Sequence, residues 1–600
     1  MLLIRARQAA GVSVLDIYTT TIAISILVYI ALGNYAGRGI KRLDEYYVAG
    51  RRAPTIIIVG TLVASVMSST MFLGEAGFAY DGQAGPYVIF PQAATTGYVI
   101  GAIFFGRFLR RSRATTVAEF FGKRFLSPRV QALAGVTIIL ALGGYLLAVT
   151  QGAAILLSQL TGLDYVQGLI VAWLSYTTFT MYSGSRGVIL TDTLMFLLFT
   201  FASAAAVVFV VGDLGGVTAV MTELATLDSK PDLMAWHGIV GPGTEWPTPT
   251  DFLIWLLVID ASWALVYCVS PWQSSRHLMA KNEHVVLRAA IFACLAVGML
   301  QVMVYGLGGV INLGDPNLDP PESATIWASL TMMPEILGAL MLAGIMAAIL
   351  SSASTFLSLV GFSASNDIGI HTSTDELKTL RFSRLMMLLI GFIALVAALI
   401  FPPDIFWLTT FIATVFASSW GAVGLMSIWS KRITEAAAFW GMLAGLIFNV
   451  VPKFFEFIGV ITFPSYLNPV IIGTVASLIV TIAVARATTV SDEERSYLEK
   501  LHEVPPDELD EKKTRVSLMA PAVVIVISGL IMPVLMIRYY VYPFQAARGE
   551  LAADGSIDWL AGEAILAASW SGVYIALGLF AMWVIRNGYS PLRRAQSQKT

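Results

Sequence analysis

A run of hydroxyl side chains lies in the middle of an apolar segment that the sequence predicts as a helix over residues 335–362. On a helix, residues three, four and seven apart share a face, so Ser351, Ser354, Thr355 and Ser358 form one stripe, with Ser352 beside it. Hydroxyl oxygens are ligands that a hard cation such as sodium prefers to nitrogen or sulfur. The pattern favours a cation site. A helix-packing face, where each hydroxyl bonds back to its own helix, is the alternative.

Three acidic residues also lie inside apolar segments that are long enough to cross a bilayer: Glu75, Asp192 and Asp260. A charge near the bilayer centre costs roughly 2.5–3.5 kcal/mol on insertion scales, so each carboxylate needs a partner, a proton or a water-filled cavity. Asp260 is central in its segment, and Glu75 is in the outer part of its own. Asp192 is close to a predicted helix end, where a structural ion pair is the alternative to a functional role.

The composition defines the class of protein that must position these residues. The chain has 600 residues, of which 57% are hydrophobic and 13% charged, and its mean hydropathy is +0.75. Such a chain is a polytopic membrane protein of the all-α class. The net charge of -2 gives no reason to expect nucleic acid as a partner. We expect the lipid bilayer as its surroundings and find no sign of an obligate protein partner. The sequence shows no nucleophile and base pair and no phosphate-binding loop, so we do not expect an enzyme or a cofactor.

We predict about fifteen transmembrane helices, and the basic residues predict their orientation. The loop over residues 37–54 carries five Lys or Arg residues, and the loop over residues 107–129 carries seven. The long loop over residues 213–250 has one lysine against five acidic residues. Because basic loops stay in the cytoplasm, we expect a multi-pass protein of the cell membrane with its N-terminus outside and its C-terminus inside. The mixed-charge segment over residues 489–516 is expected to be a solvated cytoplasmic connector.

The predicted span over residues 55–80 has an unusual centre. Its run from Gly60 to Gly74 contains several consecutive small or hydroxyl residues, and a glycine-rich stretch follows. Breaks in a transmembrane helix are tolerated where the freed carbonyl groups line a cavity or bind an ion. A break here would direct backbone oxygens towards the hydroxyl stripe.

Five runs of residues follow one another in an order known from a family of membrane proteins. The first is DEYYVAGRR at 44–52, followed by Phe72-Leu-Gly74. The other four are TTVAEFFGKR at 115–124, GVILTD at 187–192, RHLMAK at 276–281 and WSKRIT at 429–434. They resemble the opening signature and four later motifs of the sodium:solute symporter family, which belongs to the amino acid-polyamine-organocation superfamily.

The resemblance implies a leucine-transporter-type core of two inverted five-helix repeats whose first helices are discontinuous, working by alternating access. The implied organisation has one N-terminal and about four C-terminal extra helices around this core. In chain order it comprises an extra helix and loop (1–54), the first repeat (55–212), an extracytoplasmic loop (213–250), the second repeat (251–430), two further helices (431–488), a charged cytoplasmic loop (489–516), and two C-terminal helices with a short tail (517–600).

The resemblance also implies ion ligands, with sodium as the coupling ion and the expected metal. Members of the family bind sodium through carbonyl groups of the first core helix and through a carbonyl and hydroxyls of the eighth. The corresponding residues here are Ala64, Met67, Ala348, Ser351 and Ser352. Some members hold a second sodium through an aspartate and hydroxyls, and the matching residues are Asp192, Ser351, Ser354 and Thr355.

The solute cannot be transferred from the resemblance, because Met71 stands where sugar transporters have glutamine and Val66 where proline transporters have aspartate. The helices expected to line the solute site offer Met71, Phe72, Glu75, Asp260, Trp263, Tyr267 and Trp420, without a lysine or arginine. Aromatic rings and acids suit an amino acid or another amine-bearing solute, through charge pairing and cation-π contact. Packing of the helix bundle is the alternative for each aromatic residue. The sequence leaves three alternative functions open. They are a symporter coupled to protons through Asp260 and Glu75, a symporter of a monocarboxylate or another solute, and a transport-like sensor that acts with a separate partner.

Overall fold

The computed structural model describes residues 16–368 and 375–589, and within these ranges regular structure is helical, without a named strand. The main helices are α1 (Ile17–Gly37), α2 (Thr55–Ala64), α3 (Thr70–Ile89), α4 (Ala93–Ser112), α5 (Pro128–Thr161), α6 (Tyr165–Asp213), α7 (Pro249–Val269), α8 (Pro271–Met279), α9 (Glu283–Val310), α10 (Glu335–Asn366), α11 (Glu376–Ile400), α12 (Ile405–Trp429), α13 (Glu435–Phe457), α14 (Pro469–Ala487), α15 (Asp492–His502), α16 (Glu511–Arg548) and α17 (Gly562–Tyr589).

The predicted span over residues 55–80 is a broken helix. Its first part, α2, has 10 residues and ends at Ala64, while α3 begins at Thr70. A helix of this length covers about 15 Å, half of the hydrocarbon core, so the chain between α2 and α3 lies at membrane depth. The predicted break is therefore present, and it frees backbone carbonyl groups inside the protein.

A second break separates α7 from α8. Ser270 has extended backbone angles, with φ -61° and ψ 145°, and Pro271 then opens α8. Proline has no N–H to donate, so it can start a helix but cannot continue one without losing a hydrogen bond. The Gln273 side-chain amide donates to Ser65 Oγ at 3.4 Å, which joins the start of α8 to the break after α2.

The long helix α6 reverses direction at Gly184. Its 49 residues would extend about 73 Å if straight, far more than a bilayer needs. Gly184 has φ 53° and ψ -151°, and a Cβ there would lie 2.6 Å from the Tyr46 carbonyl oxygen. A Cβ on Gly33 would lie 2.7 Å from Phe179 Cβ, and a Cβ on Gly187 would lie 3.3 Å from the Gly33 oxygen. Both sides of Gly184 thus contact the same residue of α1, and the chain folds back.

Twelve helices in residues 16–368 and 375–589 are long and apolar enough to cross a membrane, or thirteen if the bent pair α3 and α4 is one span. The count of thirteen is two lower than the fifteen predicted spans, for two reasons. Helix α6 contains two of them, 165–183 and 188–212, on either side of Gly184. The predicted span 55–80 is divided into pieces that are individually short.

The segment over residues 489–516 contains a helix at its N-terminal end. This helix, α15, begins with a capping box of Ser491 and Glu494, and the membrane helix α16 already begins at Glu511. Glu494 Oε1 accepts from the Glu435 N–H at 3.0 Å, and the Leu501 carbonyl accepts from Arg111 Nη1 at 3.1 Å. These two contacts anchor the segment to neighbouring parts of the chain, while most of its charged side chains are exposed.

The C-terminal helices α16 and α17 pack against the core. The Trp570 indole donates to the Ile89 carbonyl at 2.7 Å, and the Tyr574 hydroxyl lies 3.0 Å from Thr95 Oγ1. At the other end of α17, the Tyr589 hydroxyl donates to Glu283 Oε2 at 2.6 Å. Helix α17 therefore contacts α3, α4 and α9 through these three side chains.

Replacing Arg111 with methionine is expected to destabilise the protein by about 3–5 kcal/mol. Arg111 forms a bidentate ion pair with Glu283 at 2.6 and 2.8 Å, and both side chains are buried, so its loss leaves a buried carboxylate unpaired. Thermal denaturation in detergent would measure the effect. The exposed Arg113 on the same loop is the control. Equal falls in Tm for Arg111→Met and Arg113→Met would contradict the expectation.

Candidate functional site

The hydroxyl stripe of α10 faces the break between α2 and α3. Ser352 Oγ lies 3.5 Å from the Ala64 carbonyl oxygen, 3.4 Å from that of Ser65 and 3.3 Å from that of Met67. Ala348 is one turn earlier on α10, and the whole group is buried. The structure thus brings three of the predicted first-site residues, Ala64, Met67 and Ser352, into one cluster of oxygens.

Asp192 lies beside this cluster, at the centre of a second group of oxygens. It is fully buried on α6, and its Oδ1 accepts from Ser351 Oγ at 2.7 Å. Its Oδ2 accepts from Thr61 Oγ1 on α2 at 2.5 Å. The predicted pairing of Asp192 with Ser351 is present, and Thr61 is a partner that the sequence reasoning missed.

A buried arginine on the short helix α8 completes the group around Asp192. The Arg276 guanidinium lies 3.5 Å from Asp192 Oδ2, and its Nε donates to Thr61 Oγ1 at 3.1 Å. Arg276 Nη2 also donates to Thr355 Oγ1. In this conformation Arg276 is the positive partner of Asp192, so the ion-pair alternative for Asp192 describes the observed contact. Arg276 stands in the quoted run at 276–281, which the sequence reasoning treated as a loop.

The remaining stripe residues bond within α10. Ser354 Oγ donates to the Ser351 carbonyl at 2.8 Å, and Ser358 Oγ donates to the Thr355 carbonyl at 2.8 Å. These contacts match the helix-packing alternative. Of the predicted second-site residues, Asp192 and Ser351 contact each other directly, whereas the Ser354 and Thr355 hydroxyls have other partners.

A small cavity of about 40 Å³ lies beside α3. Four of the seven predicted solute residues line it: Glu75, Asp260, Trp263 and Tyr267. Met71 lines a second space of about 10 Å³ together with Glu75, Trp263 and Tyr267. A volume of this size holds water but not a metabolite, so the site is too narrow for a solute in this conformation.

Two of the predicted solute residues do not line either cavity. The Phe72 ring faces Phe199 of α6, with the ring centroids 6.0 Å apart. Phe72 follows Met71 by one residue, so it lies about 100° further round the helix and points to another neighbour. Trp420 packs against Phe121 and Phe416, with both centroid distances 5.2 Å. It lies ten residues beyond the cavity-lining Thr410 on α12, about 15 Å along the helix.

The structure adds residues that the sequence reasoning did not select. Gln301 and Tyr305 are four residues apart on α9, and both face the cavity. Two polar groups at this spacing in an apolar segment are a signal that could have identified them. The other cavity-lining residues missed are Tyr87, Phe90, Ala94, Leu256, Ile259 and Thr410.

The cavity offers hydrogen-bond acceptors. Glu75 accepts a hydrogen bond from the Tyr305 hydroxyl, which in turn accepts from Gln301 Nε2 at 3.2 Å. Asp260 Oδ2 and Gln301 Oε1 have no hydrogen-bond partner among the described residues. No lysine, arginine or histidine lines the cavity in the described part of the chain. The wall therefore carries two carboxyl groups without a protein cation.

A helical membrane bundle with two adjoining broken helices, buried oxygen clusters and a narrow cavity lined by carboxyl groups has the architecture of a secondary transporter. The chain belongs to the sodium:solute symporter family, whose sequence pattern matches residues 46–445. It is therefore a transporter of the membrane and not an enzyme. Helices α1, α14, α15, α16 and α17 lie outside the matched region.

Similar proteins agree with this assignment. The chain is 24% identical over 415 residues to the sodium/pantothenate symporter of Haemophilus influenzae, covering 67% of this chain and 83% of that protein. It is 26% identical over 458 residues to the sodium/proline symporter of the same species, covering 71% and 86%. A substrate-bound outward-open structure of a Na⁺-coupled sialic acid symporter matches with a TM-score of 0.68 at 18% identity, covering 80% of this chain and 100% of that one. This likeness confirms the predicted fold.

Proposed function

We propose that this protein imports a small amine-bearing organic solute, such as an amino acid, together with sodium by alternating access. The observation that carries the proposal is the position of Ser352 Oγ within 3.5 Å of three carbonyl oxygens at the break between α2 and α3. Neutral oxygens from two helices suit a weakly held hard cation, which must also be released on the other side.

The first sodium site in this proposal comprises Ala64, Met67, Ala348, Ser351 and Ser352. The family supports sodium as its ion. One positive charge that moves through about 100 mV contributes about 2.3 kcal/mol, or roughly fiftyfold accumulation of solute. A single site is therefore enough to drive import.

The second sodium site in this proposal comprises Asp192, Ser351, Ser354 and Thr355, with Arg276 in the role of the ion when sodium is absent. Arg276 contacts Asp192 and Thr355, which are two of these four residues. Sodium could reach Asp192 after the guanidinium withdraws. The ion pair thereby supplies a neutral resting state for a carboxylate that would otherwise be buried in the protein without a charged partner.

The solute class follows from the charges on the cavity wall. Asp260 has an unpartnered carboxylate oxygen, Glu75 lies on the same wall, and Trp263 and Tyr267 supply ring faces. A positively charged amine would satisfy the carboxylates and make cation-π contacts with the rings. The named relatives transport proline or pantothenate. Pantothenate is an anion, which this wall would repel.

The orientation in the membrane is also a proposal, with the N-terminus outside, the C-terminus inside and the protein in the cell membrane. Arg51 Nη2 donates to the Arg113 carbonyl at 3.1 Å, and Arg110 Nη2 to the Lys281 carbonyl at 3.0 Å. These contacts gather basic residues from three loops at one end of the bundle. Basic loops concentrated at one end favour a cytoplasmic location for that end.

Proton coupling is the second candidate function. It is favoured by Asp260 and Glu75 lining one cavity without a protein cation. A proton on either carboxyl group would reduce the cost of burying both. The fluorescence titration described next, with its panel of solutes, would also distinguish a monocarboxylate symporter or a solute sensor from these functions.

Sodium titration of intrinsic tryptophan fluorescence on the purified protein tests the proposal, because the chain has 14 tryptophans and Trp263 lines the cavity. Potassium chloride at the same ionic strength is the blank. After the sodium titration, a panel of amines, amino acids and monocarboxylates is added. A saturable sodium response that amines or amino acids sharpen would support the proposal. A response to acidification alone would favour proton coupling, and solute binding without uptake into vesicles would favour a sensor.

Replacing Ser352 with alanine is expected to weaken sodium binding about tenfold, since loss of one oxygen ligand corresponds to about 1.4 kcal/mol. The fluorescence titration measures this change. Ser358→Ala is the matched control, because Ser358 lies on the same helix and donates to its own Thr355 carbonyl. Equal sodium affinities in wild type and Ser352→Ala would contradict the assignment of Ser352 as a ligand.

A further inference from the structure

We infer that Trp246, on the loop over residues 213–250, is the residue that closes the outer path to the cavity. The inference rests on the proposed movement of solute through that cavity. It concerns an aromatic cluster formed by Phe78, Trp246, Phe252, Trp255, Phe406 and Trp407. Five of these rings lie on α3, α7 and α12, and Trp246 comes from the loop.

The aromatic cluster lies directly against the cavity. The Phe78 and Phe406 rings are stacked at 4.3 Å, which joins α3 to α12. The Tyr87 ring is 5.1 Å from Phe78 and also 5.1 Å from Tyr305, and both Tyr87 and Tyr305 line the cavity. A solute that reaches Asp260 from this side must therefore pass between the rings that join α3, α7 and α12.

Trp246 covers the junction of the three helices. Its ring is 4.8 Å from Trp255 of α7, 5.8 Å from Phe78 of α3 and 6.4 Å from Trp407 of α12. The side chain is buried, with 5% of its surface exposed, although it belongs to a loop. A buried loop tryptophan that contacts all three helices fills the space through which a solute would otherwise pass.

Hydrogen bonds tie this loop to one side of the junction. The Ile239 N–H donates to the Gly82 carbonyl at 2.9 Å, and Gln83 Nε2 donates to the Ile239 carbonyl at 2.9 Å. The C-terminal pair holds the same loop, since the Tyr540 hydroxyl donates to the Met234 carbonyl at 2.6 Å. Towards α12, in contrast, Trp246 makes a ring contact with Trp407.

Because of this difference, we expect the contact between Trp246 and Trp407 of α12 to separate when the path opens. Ring contacts are weak and non-directional compared with a set of backbone hydrogen bonds. When α12 moves away, Trp246 stays with α3, and the path opens between Trp246 and Trp407. Removing the indole would leave the path partly open in the resting protein.

The test measures access to the cavity without using sodium or solute. The two native cysteines, Cys268 and Cys294, are buried and are replaced by alanine. Thr410 on the cavity wall is then changed to cysteine as a reporter. Intact cells are treated with the membrane-impermeant reagent trimethylammonioethyl methanethiosulfonate, and the labelling rate of the reporter is measured. The loop variants are Trp246→Ala and Trp246→Phe.

Trp246→Ala is expected to raise the labelling rate about tenfold. The rate is proportional to the fraction of molecules whose path is open, and we expect this fraction to rise from about 1% to about 10%. Trp246→Phe keeps a ring and is expected to stay within about twofold of the parent. Trp559→Ala is the control, because Trp559 is 56% exposed on the neighbouring loop at this end of the protein. All variants are compared as monodisperse protein after labelling.

An unchanged labelling rate in Trp246→Ala would overturn the inference, and so would an equal rise in Trp559→Ala. Either result leaves the proposed function intact, because uptake and fluorescence are measured separately. Conversely, a protein that fails to bind sodium or amines could still show the change in labelling. The two proposals therefore fail independently.

Discussion

Replacing Arg276 with methionine is expected to destabilise the sodium-free protein by about 3–5 kcal/mol, because Asp192 would remain as an unpaired buried charge. Both side chains are almost completely inaccessible to solvent, and the Arg276 Nη2 atom lies 3.5 Å from Asp192 Oδ2. Thermal denaturation in detergent with potassium as the cation measures the loss. The double variant Arg276→Met, Asp192→Asn removes both charges and is expected to recover most of the stability.

Sodium should then restore the stability of the Arg276→Met variant. If sodium occupies the position of the guanidinium, a concentration one hundred times its dissociation constant contributes about 2.7 kcal/mol. Potassium at equal concentration is the control for ionic strength, and Lys281→Met is the control for loss of an exposed cation in the adjoining segment. A variant that sodium fails to stabilise would show that Arg276 has a structural role only.

Replacing Asp260 with asparagine is expected to weaken binding of an amine solute by at least 30-fold. The loss of one partner of a buried charge pair costs about 2–5 kcal/mol, and about 1.4 kcal/mol corresponds to tenfold in affinity. Asp260 has an unpartnered carboxylate oxygen in the described structure, whereas Glu75 already accepts from Tyr305. Asp260 is therefore the carboxylate that is free to receive the amine.

Fluorescence titration with the amine selected from the solute panel measures this effect. Asp251→Asn is the matched control, because Asp251 lies on the same helix and its carboxylate accepts from Thr248 Oγ1 instead of facing the cavity. Sodium affinity without solute should be the same in all three proteins. If Asp260→Asn bound the amine as tightly as the wild type, the amine would have to be recognised elsewhere.

The proposed ion-binding region was the part of the site that the sequence predicted best. Hydroxyl spacing located the stripe on α10, and the small residues after Gly60 indicated the break that faces it. Arg276 was not recognised, because α8 has 9 residues and follows a break, so it lacks the long apolar pattern of a span. Hydropathy cannot distinguish a short buried polar helix from a loop.

The solute cavity was predicted in part. Charge inside an apolar segment identified Glu75 and Asp260, because the membrane makes such residues costly. Tyr305 was missed because its contact with Glu75 joins residues that are 230 positions apart in the chain. The break of α6 at Gly184, in contrast, was predicted, since the sequence separates the spans 165–183 and 188–212 at this point.

The pairing of Asp192 with Arg276 has an electrical consequence. In the described conformation this buried pair carries no net charge, so the empty protein could change its orientation without moving charge at this position. Membrane voltage would then act mainly on sodium as it reaches its ligands, where each elementary charge corresponds to about 2.3 kcal/mol per 100 mV. Transient currents recorded without solute would therefore report the arrival of the ion, while the return of the unloaded carrier would move no charge at this pair.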